Sequence, residues 1–585
     1  MSFWYNQLVD QTGSNAPKRS MKDALAVFAE RRILVMLLLG FSAGLPFLLI
    51  FDTLSAWLRD AGLTLEVIGY FSLATLASSF KFLWAPWIDR ARIPLLTRWL
   101  GHRRSWMLIC QVLIMIGLWL VAGSNPTANL GRMALFAIFV GFSSATQDIV
   151  IDAWRIEAAE LSRQGAMAAA YQWGYRIAMI TAGAAPLLLA DAYSWNFSYA
   201  VMAGLMGIGI LAVLIAPAEA TRQLRPIHDE GVNASPVLEA VEWFGRFLLL
   251  AAGAILVGCG LAANAAALDW LLTTLGAASL GDAAVAAWKS RSGVWIQLLS
   301  VVTGFAIVFV ATRPIPRMRT RPGVYLAAAL GDPLKDFFHR YQKAATMILA
   351  LICLYRVSDF VLNIMNPFYL DLGFTLVEVA EVRKVFGVVA SMLGVFAGGI
   401  AVARMGMMSA LIIGAFAGPL SNLIFIWLTI QGHSVPALFV AIGVDNTLSG
   451  FAGTCLIAYM SSLTAAGFTA TQYAMFSSLY ALPGRLIASQ SGRIVEASAQ
   501  SAEAGGPFSV LMGAFHKLPP ESFAQATEKS GVSPAALAAG YTVFFAYSTL
   551  IGVFAIVLTF LVARGGKKSA AEDSLPAAEP DRTTV

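Results

Sequence analysis

Long apolar runs alternate with short polar breaks along the whole chain. A helix that crosses a bilayer needs about 20 predominantly apolar residues. Runs of that size fall near 33–51, 66–88, 105–123, 132–152, 168–190 and 197–217. A polar stretch from Glu219 to Glu242 follows, then runs near 244–266 and 293–312. Beyond a basic, proline-containing stretch from Arg313 to Lys343 come six more, near 344–368, 376–402, 407–430, 435–462, 471–492 and 536–563. The pattern predicts fourteen spans grouped six, two and six, hence an all-α polytopic membrane protein. Two six-helix halves, each a pair of inverted three-helix repeats, are a common build of secondary transporters. A helix pair inserted between them leaves the orientation of both unchanged. The expected organisation is a polar N-terminal segment (1–32), a first half (33–217), a central region with two inserted helices (218–343), a second half (344–563) containing a long polar loop (496–533), and a tail (564–585).

Composition agrees with a lipid solvent. Of the 585 residues, 58% are hydrophobic and 13% charged, about half the charged share of a soluble protein. The formal charge of +6 would point to nucleic acid in a soluble protein. Here the basic residues sit in short loops, where they act as orientation signals. Arg90, Arg92, Arg98, Arg103 and Arg104 follow the second run; Arg313, Arg317, Arg319, Arg321, Lys335, Arg340 and Lys343 follow the eighth; Arg564, Lys567 and Lys568 follow the last. The intervening loops are poor in such residues: 122–130 has none and 52–65 has Arg59 alone. The asymmetry predicts both termini on the cytoplasmic side. The polar N-terminus lacks a signal-peptidase pattern, so the first helix is expected to be retained. Cys110, Cys259, Cys353 and Cys455 lie singly in apolar runs and read as small buried side chains. No P-loop, zinc-ligand, nucleophile-elbow or dinucleotide signature occurs, so neither enzyme chemistry, a cofactor, a metal nor direct ATP drive is expected. Gly331–Lys343 interleaves Phe337, Phe338 and Tyr341 with Lys335, Arg340 and Lys343. It is either an amphipathic helix on the membrane surface or a solvated lead-in to the ninth span.

Ionisable side chains inside spans are costly and mark function by default. In "GFSSATQDIVIDAWRIEA" Asp148, Asp152 and Arg155 share one helix face, with Gln147 beside it. Two carboxylates one turn apart resist joint ionisation, which suits proton coupling by Asp148 and Asp152. Alternatively, Asp152 and Arg155 form the headgroup end of the helix. Lys81 either snorkels to the interface or pairs with an acid such as Asp148, and Arg176 lies where it can face the same acids. In the second half, "LYRVSDFVLNIMNPFY" holds Arg356, Asp359, Asn363 and Asn366; "GVDNTLSGFAGT" holds Asp445 and Asn446 among glycines; and "ALPGRLIA" places Arg485 after a Pro-Gly pair. Together these line a cavity suited to a large polar, anionic solute. A weak internal echo joins "PWIDRARI" and "GHRR" of the first half to "GGIAVARMG", with Arg404, of the second.

Several segments resemble the AmpG family of muropeptide permeases: "GFSAGLPFLLIFDTLSAWL", "IGYFSLATLASSFKFLWAPWIDR", "GHRRSW" and "SATQDIVIDAW" in the first half, and "RVSDFVLN", "DNTLSGFAGT" and "TATQYAMFSSLYALPGR" in the second. The resemblance covers both halves and leaves 218–343 and 496–533 unexplained. It implies a major facilitator fold, a bacterial inner-membrane location and a monomer surrounded by lipid. It also implies proton-driven import of GlcNAc-anhydro-MurNAc peptides for peptidoglycan recycling, linked in some bacteria to β-lactamase induction. The matching motifs carry over Lys81, Asp89, Gln147, Asp148, Asp152, Arg176, Asp359 and Lys384 as functional positions, with Asp89, Arg90, Arg103 and Arg104 in a conformational loop. The loop between Asp89 and Gly101 is longer than usual, and Asp445 stands where the family is expected to have Glu.

Three other readings compete. They are a facilitator for another large anion such as acetyl-CoA, a receptor or scaffold on the same frame, and a membrane-embedded enzyme. Charges inside the spans of both halves favour transport. The loop charges make a topological prediction: reporter fusions after Lys568 and within 510–530 report opposite sides of the membrane, and same-side signals would refute it.

Overall fold

The computed structural model describes residues 26–50, 52–62, 80–219, 235–262, 265–274, 276–289, 293–315, 320–488 and 490–573. All regular structure among them is helical. The first half comprises α1 (Arg31–Ile50), α2 (Asp52–Asp60), α3 (Ala85–Arg90), α4 (His102–Ala122), α5 (Leu130–Glu157), α6 (Gln164–Ala192), α7 (Trp195–Leu205) and α8 (Gly207–Ile215). The insert holds α9 (Pro236–Ala262), two short helices α10 (Ala266–Thr274) and α11 (Ala278–Lys289), and α12 (Gly293–Ala311). Helix α13 (Asp332–Tyr341) leads into the second half: α14 (Ala345–Leu354), α15 (Met365–Asp371), α16 (Gly387–Met405), α17 (Met407–Ser421), α18 (Leu423–Gln431), α19 (Val435–Ser462), α20 (Thr469–Ala488), α21 (Ser491–Glu503) and α22 (Pro534–Asp573).

Among the described residues nine helices are long and apolar enough to cross a membrane. The other expected spans differ for separate reasons. Most of 66–88 lies outside the described residues. Helix α6, at 29 residues, is long enough but carries polar groups along its length. The apolar stretch of α12, Trp295–Ala311, is shorter than the rest. The run at 344–368 is broken by a 3-10 segment, Val357–Ile364, so Asn363 and Asn366 do not continue the face of Arg356 and Asp359 as an α-helix would place them. Helix α20 carries Pro483 inside it. A π-helical stretch, Ala380–Phe386, precedes α16. Irregular backbone at membrane depth is tolerated where protein or a water-filled cavity surrounds it.

Packing between helices relies on glycine, as expected where lipid removes the hydrophobic drive for helices to associate. A Cβ at Gly174 of α6 would collide with the Leu37 carbonyl of α1, and one at Gly44 of α1 would lie 2.5 Å from the Tyr175 carbonyl of α6. In the second half a Cβ at Gly398 of α16 would lie 2.9 Å from the Phe451 carbonyl of α19. Across the two halves, a Cβ at Gly165 of α6 would sit 2.7 Å from Val402 and 3.0 Å from the Gly399 carbonyl of α16. Apart from that to Val402, these are backbone contacts that no side-chain rotamer relieves.

The insert is a helical hairpin. Helices α9 and α12 meet at Gly253, Gly260 and Gly304. Buried Arg246 ties the hairpin's foot by donating to Glu242 at 2.7 Å and to the Arg313 carbonyl at 2.9 Å. One side presents Phe244, Phe247, Leu248, Trp295, Leu299 and Val302 outward. The other, through Val257, Val301 and Phe305, rests on Phe80, Phe82 and Trp84. Asn264 lies outside the described residues.

Helix α13 docks one face on the second half. Phe337 is buried, its ring 5.3 Å from that of Phe476 in α20. Arg340 donates to the Leu463 carbonyl and to Gln472, each at 3.1 Å, and Gln472 donates to the Pro333 carbonyl at 2.8 Å. The 496–533 segment is likewise docked. Phe515 and Phe523 enter the second half's core, and the Phe523 amide donates to the Asp371 carbonyl at 2.7 Å. Gly174→Leu, which forces apart α1 and α6, is expected to abolish a monodisperse folded species on size-exclusion chromatography, whereas Gly131→Leu, a position open to solvent or lipid, leaves the profile unchanged.

Candidate functional site

The polar side chains of the spans gather in three groups along the seam between the halves. The first centres on α5. Asp152 lies 3.6 Å from the Lys81 ammonium and 3.4 Å from the Arg155 guanidinium, and all three side chains are buried. Lys81 therefore pairs with Asp152, not with Asp148, and Asp152 is enclosed by protein. Arg155 extends to the other half, donating to Ser461 of α19 at 2.8 Å and lying 4.9 Å above the Tyr473 ring of α20. Asp148, one turn back, faces Lys81, Tyr171 and Tyr175. Its Oδ1 is enclosed without a hydrogen bond among the described residues. Neighbouring Gln147 is turned away and donates to the Ser42 carbonyl of α1 at 3.0 Å.

The second group lies at the end of the molecule that carries the arginine-rich loops. Asp89, at the end of α3, is buried and does two jobs. One oxygen accepts from Arg103 at 2.7 Å. The other accepts from the Thr471 amide at 2.9 Å and its hydroxyl at 2.6 Å. Thr471 stands in the first turn of α20, so a first-half carboxylate caps a second-half helix and complements its dipole. Arg103 also donates to Glu157 at 2.8 Å. The N-terminus of α4 is capped by Glu219, which accepts from the amides of Arg103 and Arg104 at 3.0 and 2.6 Å. Arg104 donates to the Val213 and Leu214 carbonyls at the end of α8, where a cation suits the exposed carbonyls. Gly101, at φ +93°, makes the turn into α4 that a side chain would strain. Arg90 stands apart from this network, partly exposed and near Tyr325.

The third group is at mid-seam. Arg356 is paired with Asp359 and donates to Ser449 of α19 at 2.7 Å. Asp445 accepts from Ser421 at 2.9 Å, and Asn446 donates to the Ile442 carbonyl at 3.0 Å within its own helix. Arg383 donates to Asn366. From α6, Gln172 donates to Thr454 at 2.7 Å and Trp173 to the Met392 carbonyl at 2.7 Å, both across the seam. Arg176 has no hydrogen bond or ion pair among the described residues. The side chains of Asn363, Lys384 and Arg485 lie outside the described residues.

Residues 36–488 match the Major Facilitator Superfamily. The chain belongs to that superfamily. Its members are transporters, and this facilitator is a multi-pass membrane protein in its apolar helices. It is similar to the protein named AmpG 4 of Rickettsia felis, 28% identical over 472 residues that cover 80% of this chain and 91% of that one. It is also 28% identical to the anhydromuropeptide permease of Escherichia coli K12, over 476 residues covering 81% of this chain and 76% of the permease. Among solved structures it is similar to the proton:xylose symporter XylE, at a TM-score of 0.47 and 10% identity, covering 91% and 95% of the two chains.

Sequence reasoning on this facilitator missed the partners more than the charges. Ser461, Thr471, Gln472, Tyr473, Glu157 and Glu219 are ordinary polar residues at helix ends, and nothing in their spacing names the charge they meet. Trp173 and Gln172 carry no charge to single them out beside Arg176, although Gln172 is one turn from it on the same face. For Asp89 the geometry gives a stability prediction. Removing one partner of a buried pair costs about 3 kcal/mol or more. Asp89→Ala leaves Arg103 with Glu157 alone and uncaps α20, so its thermal unfolding midpoint should fall by several degrees, while Arg90→Ala should leave it unchanged.

Proposed function

We propose that this facilitator imports anhydro-muropeptides, the GlcNAc-anhydro-MurNAc peptides released by peptidoglycan turnover, from periplasm to cytoplasm across a bacterial inner membrane, drawing on the proton gradient. The substrate class rests on the likeness to the Escherichia coli anhydromuropeptide permease over four-fifths of the chain. The arginine-rich end is the cytoplasmic one on the positive-inside reading, and the chain acts as a monomer in lipid.

The observation that carries proton coupling is the Asp148 carboxyl, whose Oδ1 is enclosed without a hydrogen bond among the described residues, one turn from an Asp152 that already has two cations. An isolated carboxylate is expensive in a low-dielectric site and takes up a proton unless a cation or water stays near. With the cytoplasmic end closed by the Asp89–Thr471 and Arg155–Ser461 links, water from the periplasmic side delivers a proton to Asp148. Solute then binds at the seam, the halves rock, and those links part. Lys81 swings between Asp152 and Asp148 as water enters from the cytoplasm, and Asp148 releases its proton inside. One pKa unit corresponds to about 1.4 kcal/mol, less than a single buried hydrogen bond to a charged group, so a small displacement of Lys81 switches the proton's occupancy.

Uptake of labelled anhydro-muropeptide into cells, with and without a protonophore, tests the reading. Asp148→Asn keeps the shape and cannot ionise; it should insert normally, lose accumulation against a gradient and retain downhill exchange. Wild-type accumulation with ordinary protonophore sensitivity in that variant would sink the proton assignment, and failure to insert would make Asp148 a structural residue instead.

A further inference from the structure

We propose that Arg176 and Arg356 face one another across the seam as a two-guanidinium site that binds a free carboxylate of the solute. The inference rests on the transport reading above and adds the group on the solute that is recognised.

The two arginines come from different halves. Arg176 is on α6, one turn beyond Gln172 on the same face. Gln172 donates to Thr454 of α19, which fixes that face against α19. Gly453, the residue before Thr454, completes the arrangement. A Cβ there would lie 2.6 Å from Nη1 of Arg356 and 3.6 Å from Oε1 of Gln172. Gly453 thus leaves the space through which the Arg356 guanidinium reaches the α6 face, one turn from Arg176.

Their bonding differs. Arg356 uses Nε and Nη2 on Asp359 and Ser449. Its Nη1, the nitrogen nearest Gly453, makes no hydrogen bond among the described residues. Arg176 has no hydrogen bond or ion pair among the described residues and is partly buried. The acids within reach are Asp359, taken by Arg356, and Asp445, which accepts from Ser421. Counting the described side chains of this group, three guanidiniums (Arg176, Arg356, Arg383) stand against two carboxylates (Asp359, Asp445). An uncompensated cation inside a membrane bundle is costly to keep and marks a ligand. Guanidinium forks match a carboxylate in shape and charge. A carboxylate held between Arg176 and Arg356 relieves their repulsion and ties one half to the other, so the same contact that selects an acidic solute also favours the state in which the halves are drawn together. The stem peptide of an anhydro-muropeptide carries such free carboxylates, whereas its sugars do not.

The test compares an anhydro-muropeptide having free stem carboxylates with the same compound fully amidated. Wild-type protein should prefer the acid about tenfold or more in KM. Arg176→Gln should raise KM for the acid about tenfold, keep kcat within about twofold, and leave KM for the amide unchanged. Arg176→Lys should fall between, because a point charge replaces a fork. Gly453→Ala should reproduce the KM defect by displacing Arg356. Arg176→Gln should melt at or above the wild-type temperature, since it removes an unpaired cation; a lower midpoint with equal loss of both substrates would make Arg176 structural and overturn the proposal. Retained preference for the acid in Arg176→Gln would overturn it too. If wild-type protein transports neither compound, the transport reading fails separately. Purified protein is then melted with N-acetylmuramic acid, which has a carboxylate, and N-acetylglucosamine, which has none. Stabilisation of wild type but not Arg176→Gln by the acid alone upholds the site, and its absence overturns it.

Discussion

A charge buried away from water must be neutralised by the protein itself, and Asp89 meets that demand by joining two bodies. Its carboxylate satisfies Arg103 in its own half and the exposed amide end of α20 in the other. A hydrogen bond to a charged group is worth roughly twice a neutral one, and neither oxygen can let go at no cost. Separation of the halves at this end therefore breaks a defined set of bonds and leaves a defined set of groups in need of water. Arg155 with Ser461 makes a second polar link between the halves.

These polar links have the range of a single side chain, so they depend on how closely the backbones approach. The glycines provide that approach. Gly165 lets α6 touch α16, and with the two helices in contact Trp173 reaches the Met392 carbonyl and Gln172 reaches Thr454. A bulkier residue at Gly165 would separate the helices and strand the polar groups of both faces. In a bilayer, where apolar burial between helices adds little, close packing and hydrogen bonding together hold the seam.

Two pieces of the 218–343 region, which the resemblance left unexplained, attach beside this seam. Helix α13 grips Gln472, the neighbour of the residue that Asp89 holds. The inserted hairpin rests on Phe80–Trp84, the segment that contains Lys81. Both additions thus contact elements that carry the central charges.

What the sequence determined by itself was the solvent and the inventory. Apolar runs of bilayer length, the placement of arginines in alternate loops, and Asp148, Asp152, Lys81, Arg176 and Arg356 inside spans are local properties of the chain, legible because a low-dielectric medium permits so few exceptions. Periodicity also placed Asp148 and Asp152 on one face. What it could not decide was pairing. Lys81 had two acids in reach and the fold gave it Asp152; Asp89 was one acid in a basic loop until α20 brought Thr471 to it from 382 residues away. The expected α-helical register around Arg356 gave way to a 3-10 turn, and α13 packs on α20 through Phe337 and Gln472, partners that its amphipathic pattern does not name. A side chain's type and helix face are set within a few residues, whereas its partner is set by the approach of backbones hundreds of residues apart. That approach rests on glycines whose spacing along each helix does not say which helix they meet.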